Sequence, residues 1–264
     1  MVFHLDHMCL GVSDLADGVR RFREETGLGV YEGGVFPEAG LGVWIVPLGG
    51  EVYAEIEGVA DPGRAARGAG AWISRATGDG RDRWMFWCLR ADTLEELQEV
   101  AERLGGQVSS IPGRVQPDGT RRVITSAPGI DQSWRHGLPN WYYRADPASN
   151  PARGAVTGGR IAQGVTWLEV GGDETVLRKH LGAETFDRLP LRVVPGEPGL
   201  HAVAVRTAEG EEVVLRRPPA GPATSEPPLG GIRLRQSGIR LRQSGTRVRL
   251  SGTRAPEGGT QAGR

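Results

Sequence analysis

Polar and apolar positions alternate along residues 3–12, which predicts a strand with Leu5, His7 and Cys9 on one face. The pattern then changes to a helical period in "SDLADGVRRFREETGLG", where Leu15, Val19 and Phe22 share a side. Ser13 or Asp14 can cap its start, and Gly27 and Gly29 end it. "GLGVWIVPLGG" and "EVYAEIEGV" read as strands joined by a Gly-Gly hairpin turn, so residues 1–60 predict a β-α-β-β-β unit.

The same order recurs over residues 83–147. "RWMFWCLRADTLEELQEVAERLGGQV" is a strand, a helix with Leu94, Leu97 and Leu104 on its apolar side, and a Gly-Gly stop. A hairpin around Pro117-Asp118-Gly119 and the strand "LPNWYYRAD" follow. Setting Cys88 on Cys9 aligns the two units, each of which has an apolar sheet face that it cannot bury alone. Residues 160–217 predict a third, partial unit from "GVTWLEVGGDETVLRKHLGAE" and the hairpin after it.

From Pro218 to Arg264 the chain turns to Pro, Gly and Arg, with "GIRLRQS" twice and then "GTRVRLS". This composition predicts a disordered tail. An arm for an acidic partner and an edge strand are the alternatives. The formal net charge of zero conceals the contrast: the tail holds eight arginines and two glutamates, a balance of +6, which leaves −6 on residues 1–217. An acidic body gives no reason to expect nucleic-acid binding, and a tail without aromatics could offer a nucleic acid only non-specific backbone contact. No run of about 18 apolar residues predicts a membrane span, and no basic-then-apolar start predicts a signal peptide. Two cysteines are too few for a disulfide framework, so a reducing, cytoplasmic setting is expected. The chain carries no GxGxxG, Walker loop, GxSxG elbow, HExxH or CxxC.

Two such units in tandem, the first opening "LDHMCLGVSDL" with "VYAEIEG" as its fourth strand, resemble the vicinal oxygen chelate superfamily of glyoxalase, bleomycin-resistance and dioxygenase proteins. "VPLGGEVYAEIEG", "RVQPDGTRRV", "GLPNWYYRADPASNP" and "GVTWLEVGG" are similar, in order, to the bacterial glyoxalase-like domain group, over residues 3–180. The resemblance implies an α+β fold of tandem βαβββ modules whose curved mixed sheet forms a cup, completed by the C-terminal half-module. It leaves open whether modules pair within one chain or across a homodimer.

It also implies a site. Metal-dependent members take ligands from the first and fourth strands of each module, which carry over here as His7 and Glu55. The second module has Phe86 and Tyr143 at the matching positions. Two ligands fall short of the three a catalytic ion needs. Of the nearby substitutes, His4 and Asp6 face away from His7 on an ideal strand, and Glu57 shares the face of Glu55. The expectation is therefore a His7–Glu55 hydrogen-bonded pair in a largely apolar cavity, a divalent metal being the weaker alternative. Tyr53, Trp84, Phe86, Cys88 and Trp141 are expected to line that cavity as an aromatic ligand site, with Tyr143 as a hydrogen-bond donor. The implied function is a lyase, isomerase or dioxygenase-type enzyme acting on a small oxygenated metabolite, with His7, Glu55 and Tyr143 as its chemical groups. The alternative is a non-catalytic binder of a drug-like or aromatic small molecule.

Overall fold

The computed structural model describes residues 3–221, and their elements follow the two repeated units closely. The first unit runs β1 (His4–Gly11), α1 (Leu15–Thr26), β2 (Tyr31–Phe36), β3 (Leu41–Gly49) and β4 (Val52–Val59). Asp14 caps α1 by accepting from the Asp17 amide, and Gly27 ends it in the left-handed conformation. A helix that the sequence pattern did not predict, α2 (Gly68–Ala76), bridges to the second unit. That unit is β5 (Arg83–Arg90), α3 (Leu94–Arg103), β6 (Ser109–Val115), β7 (Arg121–Ser126), a second unforeseen helix α4 (Ile130–Arg135), and β8 (Asn140–Tyr143). Thr93 and Glu96 close a reciprocal capping box on α3.

Each unit contributes four strands to one closed barrel, in the order β1-β4-β3-β2-β6-β7-β8-β5. The two halves meet at β1 against β5 and, through a single rung between Val35 and Val115, at β2 against β6. The cup is thus completed within one chain.

The third segment is β9 (Ala162–Gly171), α5 (Glu174–Leu181), α6 (Ala183–Arg188), β10 (Leu191–Val194), β11 (Gly199–Thr207) and β12 (Glu212–Arg216). Its strands form a separate sheet, β10-β9-β11-β12. Leu168, Val203, Val205 and Leu215 of this sheet join Ala54, Ile56, Trp84, Trp87 and Leu89 of the barrel's outer face in one large apolar core. Residues 218–221 continue along β5: the Trp84 amide donates to the Pro218 carbonyl and the Ala220 amide to that of Trp84. The segment expected to be tail therefore begins as ordered chain, and residues 222–264, with the Arg-rich heptads, lie outside the described residues. Among the described residues no helix is long and apolar enough to cross a membrane.

Two irregularities decide what the barrel encloses. Between Leu5 and His7, β1 has one residue more than β5, so Asp6 is left without a partner. Between Cys9 and Leu10 the extra residue is on β5, at Met85. Bulges of this kind break the inward-outward alternation. Leu5 consequently packs in the outer core, while Asp6 and His7 bond to one another at adjacent positions. On β5, Trp84 and Trp87 face outward, and Met85, Phe86 and Cys88 join the inner cluster.

Candidate functional site

Parallel pairing of β1 with β4 sets His7 beside Tyr53, Cys9 beside Glu55 and Gly11 beside Glu57. This row of polar side chains lies inside the barrel, and each member is under 9 % exposed. At one end of the row His7 pairs with Asp6: the imidazole Nδ1 is 2.7 Å from Asp6 Oδ2. The His7 ring stacks on Tyr53, with centroids 4.9 Å apart and planes inclined by 12°. Tyr142 lies 5.4 Å from the same ring and Phe86 meets it edge-on. With one nitrogen tied to a carboxylate and one face on a phenol, the imidazole is fixed in orientation.

Arg144, just past β8, donates from Nη2 to Asp6 Oδ2 at 3.0 Å and to the Tyr53 hydroxyl at 2.5 Å. Arg90, at the end of β5, lies with Nη1 3.9 Å from Asp6 Oδ1. Glu55 has a different partner: Arg114 of β6 donates to it at 3.0 Å and anchors its own Nε on the Gly33 carbonyl.

Burial and charge act together on these groups. Burial alone would raise the Asp6 pKa, but Arg144 and His7 outweigh it and hold the carboxyl well below the usual range. For His7, burial opposes protonation, yet the neighbouring Cys88, Tyr53 and Asp6 leave its pKa raised well above the ordinary value. Glu57 is pushed well up by burial and by the adjacent Glu55, with which it shares a hydrogen bond. Burial also raises the Cys9 and Cys88 thiols, so neither is set up as a nucleophile.

Beyond this polar row the interior becomes aromatic. Phe86 stacks on Trp134 of α4 at 4.0 Å, and Trp72 of α2 lies 6.0 Å from Trp134. The two unforeseen helices thus supply the rings that close one end of the barrel, beside Gly11, whose position abuts Met85 and Ile73. Asp6, Arg90, Arg144 and the β3–β4 turn at Glu51 mark the opposite, polar end.

The structure brings His7, Glu55, Tyr53, Phe86 and Cys88 together, and places three expected cavity residues elsewhere. Trp84 points into the outer core, because the bulge at Met85 reverses its face. Trp141 packs outward against Phe3 and the His180 ring. Tyr143 is half-buried against the same outer core, and Tyr142 takes the inward position. The reason is register: β8 pairs Cys88 with Asn140, just as β4 pairs Cys9 with Glu55, so the counterpart of Glu55 is Asn140. His7 and Glu55 are not bonded to one another, since Asp6 and Arg114 take those roles. The interior is charged where an apolar cavity was expected. Asp6 was expected to face away from His7, and Arg90, Arg114, Arg144, Trp72 and Trp134 were not singled out from the sequence. One signal was there: "RAD" follows both "CL" and "YY", at Arg90 and Arg144, on two strands that run side by side.

A family model described as a glyoxalase-like domain matches residues 5–175. The chain belongs to this glyoxalase-like domain family. No match is found among curated proteins. A crystal structure of a hypothetical protein from Staphylococcus aureus is similar at a TM-score of 0.57 and 11 % identity, covering 82 % of this chain and all of that one. Methylmalonyl-CoA epimerase from Mycobacterium tuberculosis aligns over 55 % of this chain and 91 % of its own, at a TM-score of 0.40 and 13 % identity. The Streptomyces coelicolor methylmalonyl-CoA epimerase aligns over 55 % of this chain and all of its own, with a TM-score of 0.40 and 16 % identity.

The metal site of the wider superfamily does not fit this glyoxalase-like chain. Of its four positions, His7 and Glu55 carry donors, Phe86 carries none, and Asn140 offers at most an amide oxygen while its Nδ2 donates to Ser126. The carboxylate of Glu55 already faces the Arg114 guanidinium, a fixed positive charge where a cation would sit. Among the described residues no group of three or more His, Cys, Asp and Glu side chains is placed to hold an ion.

Proposed function

We propose that this glyoxalase-like protein is a proton-transfer enzyme of the isomerase or lyase type, acting on a small oxygenated metabolite inside the barrel. The observation that carries the reading is the buried Asp6–His7 pair at 2.7 Å. A carboxylate holding one imidazole nitrogen fixes the ring and sustains its positive charge; the ring also hydrogen-bonds the Cys88 side chain, a contact that a developing oxyanion would replace as it accepts the proton. Glu55 lies two residues along the same face from the neighbour of His7, with Arg114 holding one oxygen, and Glu57 beside it is kept neutral by burial. In this scheme Glu55 removes a proton from the carbon next to an oxygenated carbon, and His7 protonates or neutralises the oxygen.

The test is solvent exchange. The protein is incubated in D2O with a panel of small hydroxy acids, oxo acids and hydroxyketones, and deuterium incorporation is followed by NMR. At least one compound should exchange, at a rate reduced roughly 10²-fold or more in His7→Gln and Glu55→Gln variants that retain their circular dichroism. Compounds that bind without exchanging would overturn the catalytic reading and leave the protein as a small-molecule binder.

A further inference from the structure

The polar end of the barrel holds more hydrogen-bonding capacity than the protein itself uses. Arg144 is 8 % exposed at its side chain, and its Nε is buried without an acceptor. Arg90 Nη1 is likewise a buried donor without a partner, and Asp6 Oδ1 a buried acceptor without one. Arg90 Nη1 and Asp6 Oδ1 stand 3.9 Å apart, too far to satisfy each other and close enough for one hydroxyl oxygen, set off the line between them, to accept from the first and donate to the second. Unused buried donors and acceptors carry a desolvation cost that a bound group removes.

The charge balance points the same way. Arg90, Arg144 and Arg153, together with the His7 imidazole, stand against only two carboxylates, Asp6 and Glu51, which leaves positive charge in surplus. Glu51 reaches Arg90 at 3.3 Å from the tip of the β3–β4 turn, and it also pairs with Arg153. Among the described residues Glu51 is the one non-glycine with a positive φ, 70°, a conformation that costs energy and must be held by its surroundings. A carboxylate is thus held in a strained backbone position against a buried arginine, where a ligand's carboxylate could replace it.

We propose that Arg90 and Arg144 form the binding site for a small monocarboxylate bearing a hydroxyl on the adjacent carbon, with Asp6 Oδ1 accepting from that hydroxyl and Glu51 occupying the place of the ligand's carboxylate in its absence. This names a substrate class for the site proposed above and rests on that reading for the chemistry that follows binding.

The experiment is direct binding of three probes, glycolate, glycolamide and acetate, followed by NMR shifts and calorimetry on the whole protein. Glycolate should bind at least about tenfold more tightly than glycolamide, which lacks the charge, and more tightly than acetate, which lacks the hydroxyl. The Arg90→Gln variant should lose the preference for glycolate over glycolamide. Glu51→Gln, which removes the competing carboxylate at an outer turn, should tighten glycolate binding, so the idea is testable even if Arg90→Gln fails to fold. Equal affinity for glycolate and glycolamide, or unchanged or weaker glycolate binding in Glu51→Gln, overturns the proposal. The two readings separate cleanly. Glycolate that binds as described while no panel member exchanges deuterium overturns proton transfer alone. A neutral hydroxyketone that exchanges while glycolate fails to bind overturns the carboxylate site alone.

Discussion

At the scale of single residues, the interior of this barrel is governed by which carboxyl groups ionise. Asp6 and Glu57 are both fully buried, yet their pKa values move in opposite directions because their neighbours differ in charge: a guanidinium for one and a second carboxyl for the other. Glu57 makes the clearer prediction. Its folded pKa lies well above the ordinary 4.5, so between that value and the folded pKa the unfolded chain has released a proton that the native protein keeps. Stability from this group is complete below about pH 4.5 and is lost as pH rises through the folded pKa. Replacing Glu57 with Gln removes the titration. The variant should therefore match the wild type near pH 4 and melt at a higher temperature above neutrality, with a gap that widens as pH rises. Melting curves collected across pH check this, and a variant less stable than the wild type at high pH would show that Glu57 is ionised in the fold. The same scale explains why Asp6 was misread from the sequence. Strand alternation turns it away from His7, and only the one-residue bulge opposite β5 brings it back, a feature set by the pairing of strands far apart in the sequence.

At the scale of elements, the repeat was the legible part. Helix starts at Asp14 and Thr93, the glycine stop at Gly27 and the tight turn at Gly119 are local signals, and the structure uses each of them. What sequence patterning left out is non-local. α2 and α4 are short and flanked by no strong caps, and their roles follow from Trp72 and Trp134 meeting Phe86 across the barrel. The choice between Tyr142 and Tyr143 hangs on one residue of register in a four-residue strand. Closure at the second seam is equally non-local, and it depends on Gly34. That residue has φ +102°, and a Cβ there would lie 2.0 Å from the Val115 carbonyl oxygen, next to the single rung joining β2 to β6. Gly34→Ala is expected to cost at least about 1–3 kcal/mol from backbone strain alone, with the clash against a neighbouring backbone adding to it. Urea unfolding measures the loss. A change within about 0.5 kcal/mol of wild type would mean that this seam can part without consequence.

At the scale of the whole molecule, the four-stranded sheet and the barrel should unfold together. They share a core: Ala54, Ile56 and Trp84 on the outside of the barrel and Val203, Val205 and Leu215 of the sheet belong to one contiguous buried cluster. Neither face could be exposed without losing the burial that stabilises it, at about 25 cal/mol per Å² of apolar surface. Polar links cross the same boundary. The Arg160 and Gly27 backbones bond to each other, Arg217 pairs with Glu25 at the end of α1, and residues 218–220 run alongside Trp84. Two layers that share a core in this way form a single cooperative unit, although the chain is longer than most two-state domains. The tryptophans allow this to be followed, because Trp167 belongs to the sheet, Trp72 and Trp134 stack on Phe86 inside the barrel, and Trp84 and Trp141 lie at the boundary between the layers. In a variant with Trp84, Trp141 and Trp167 replaced by Phe, fluorescence follows the barrel and far-ultraviolet circular dichroism follows both layers. The two melting curves should coincide. Adding Leu215→Ala, a truncation in the edge strand β12 of a side chain only 5 % exposed, should destabilise the protein by about 2–5 kcal/mol and lower both curves equally. If instead the dichroism curve falls early while barrel fluorescence keeps its transition temperature, the sheet melts by itself. The barrel, with its Asp6–His7 pair, would then be stable without it.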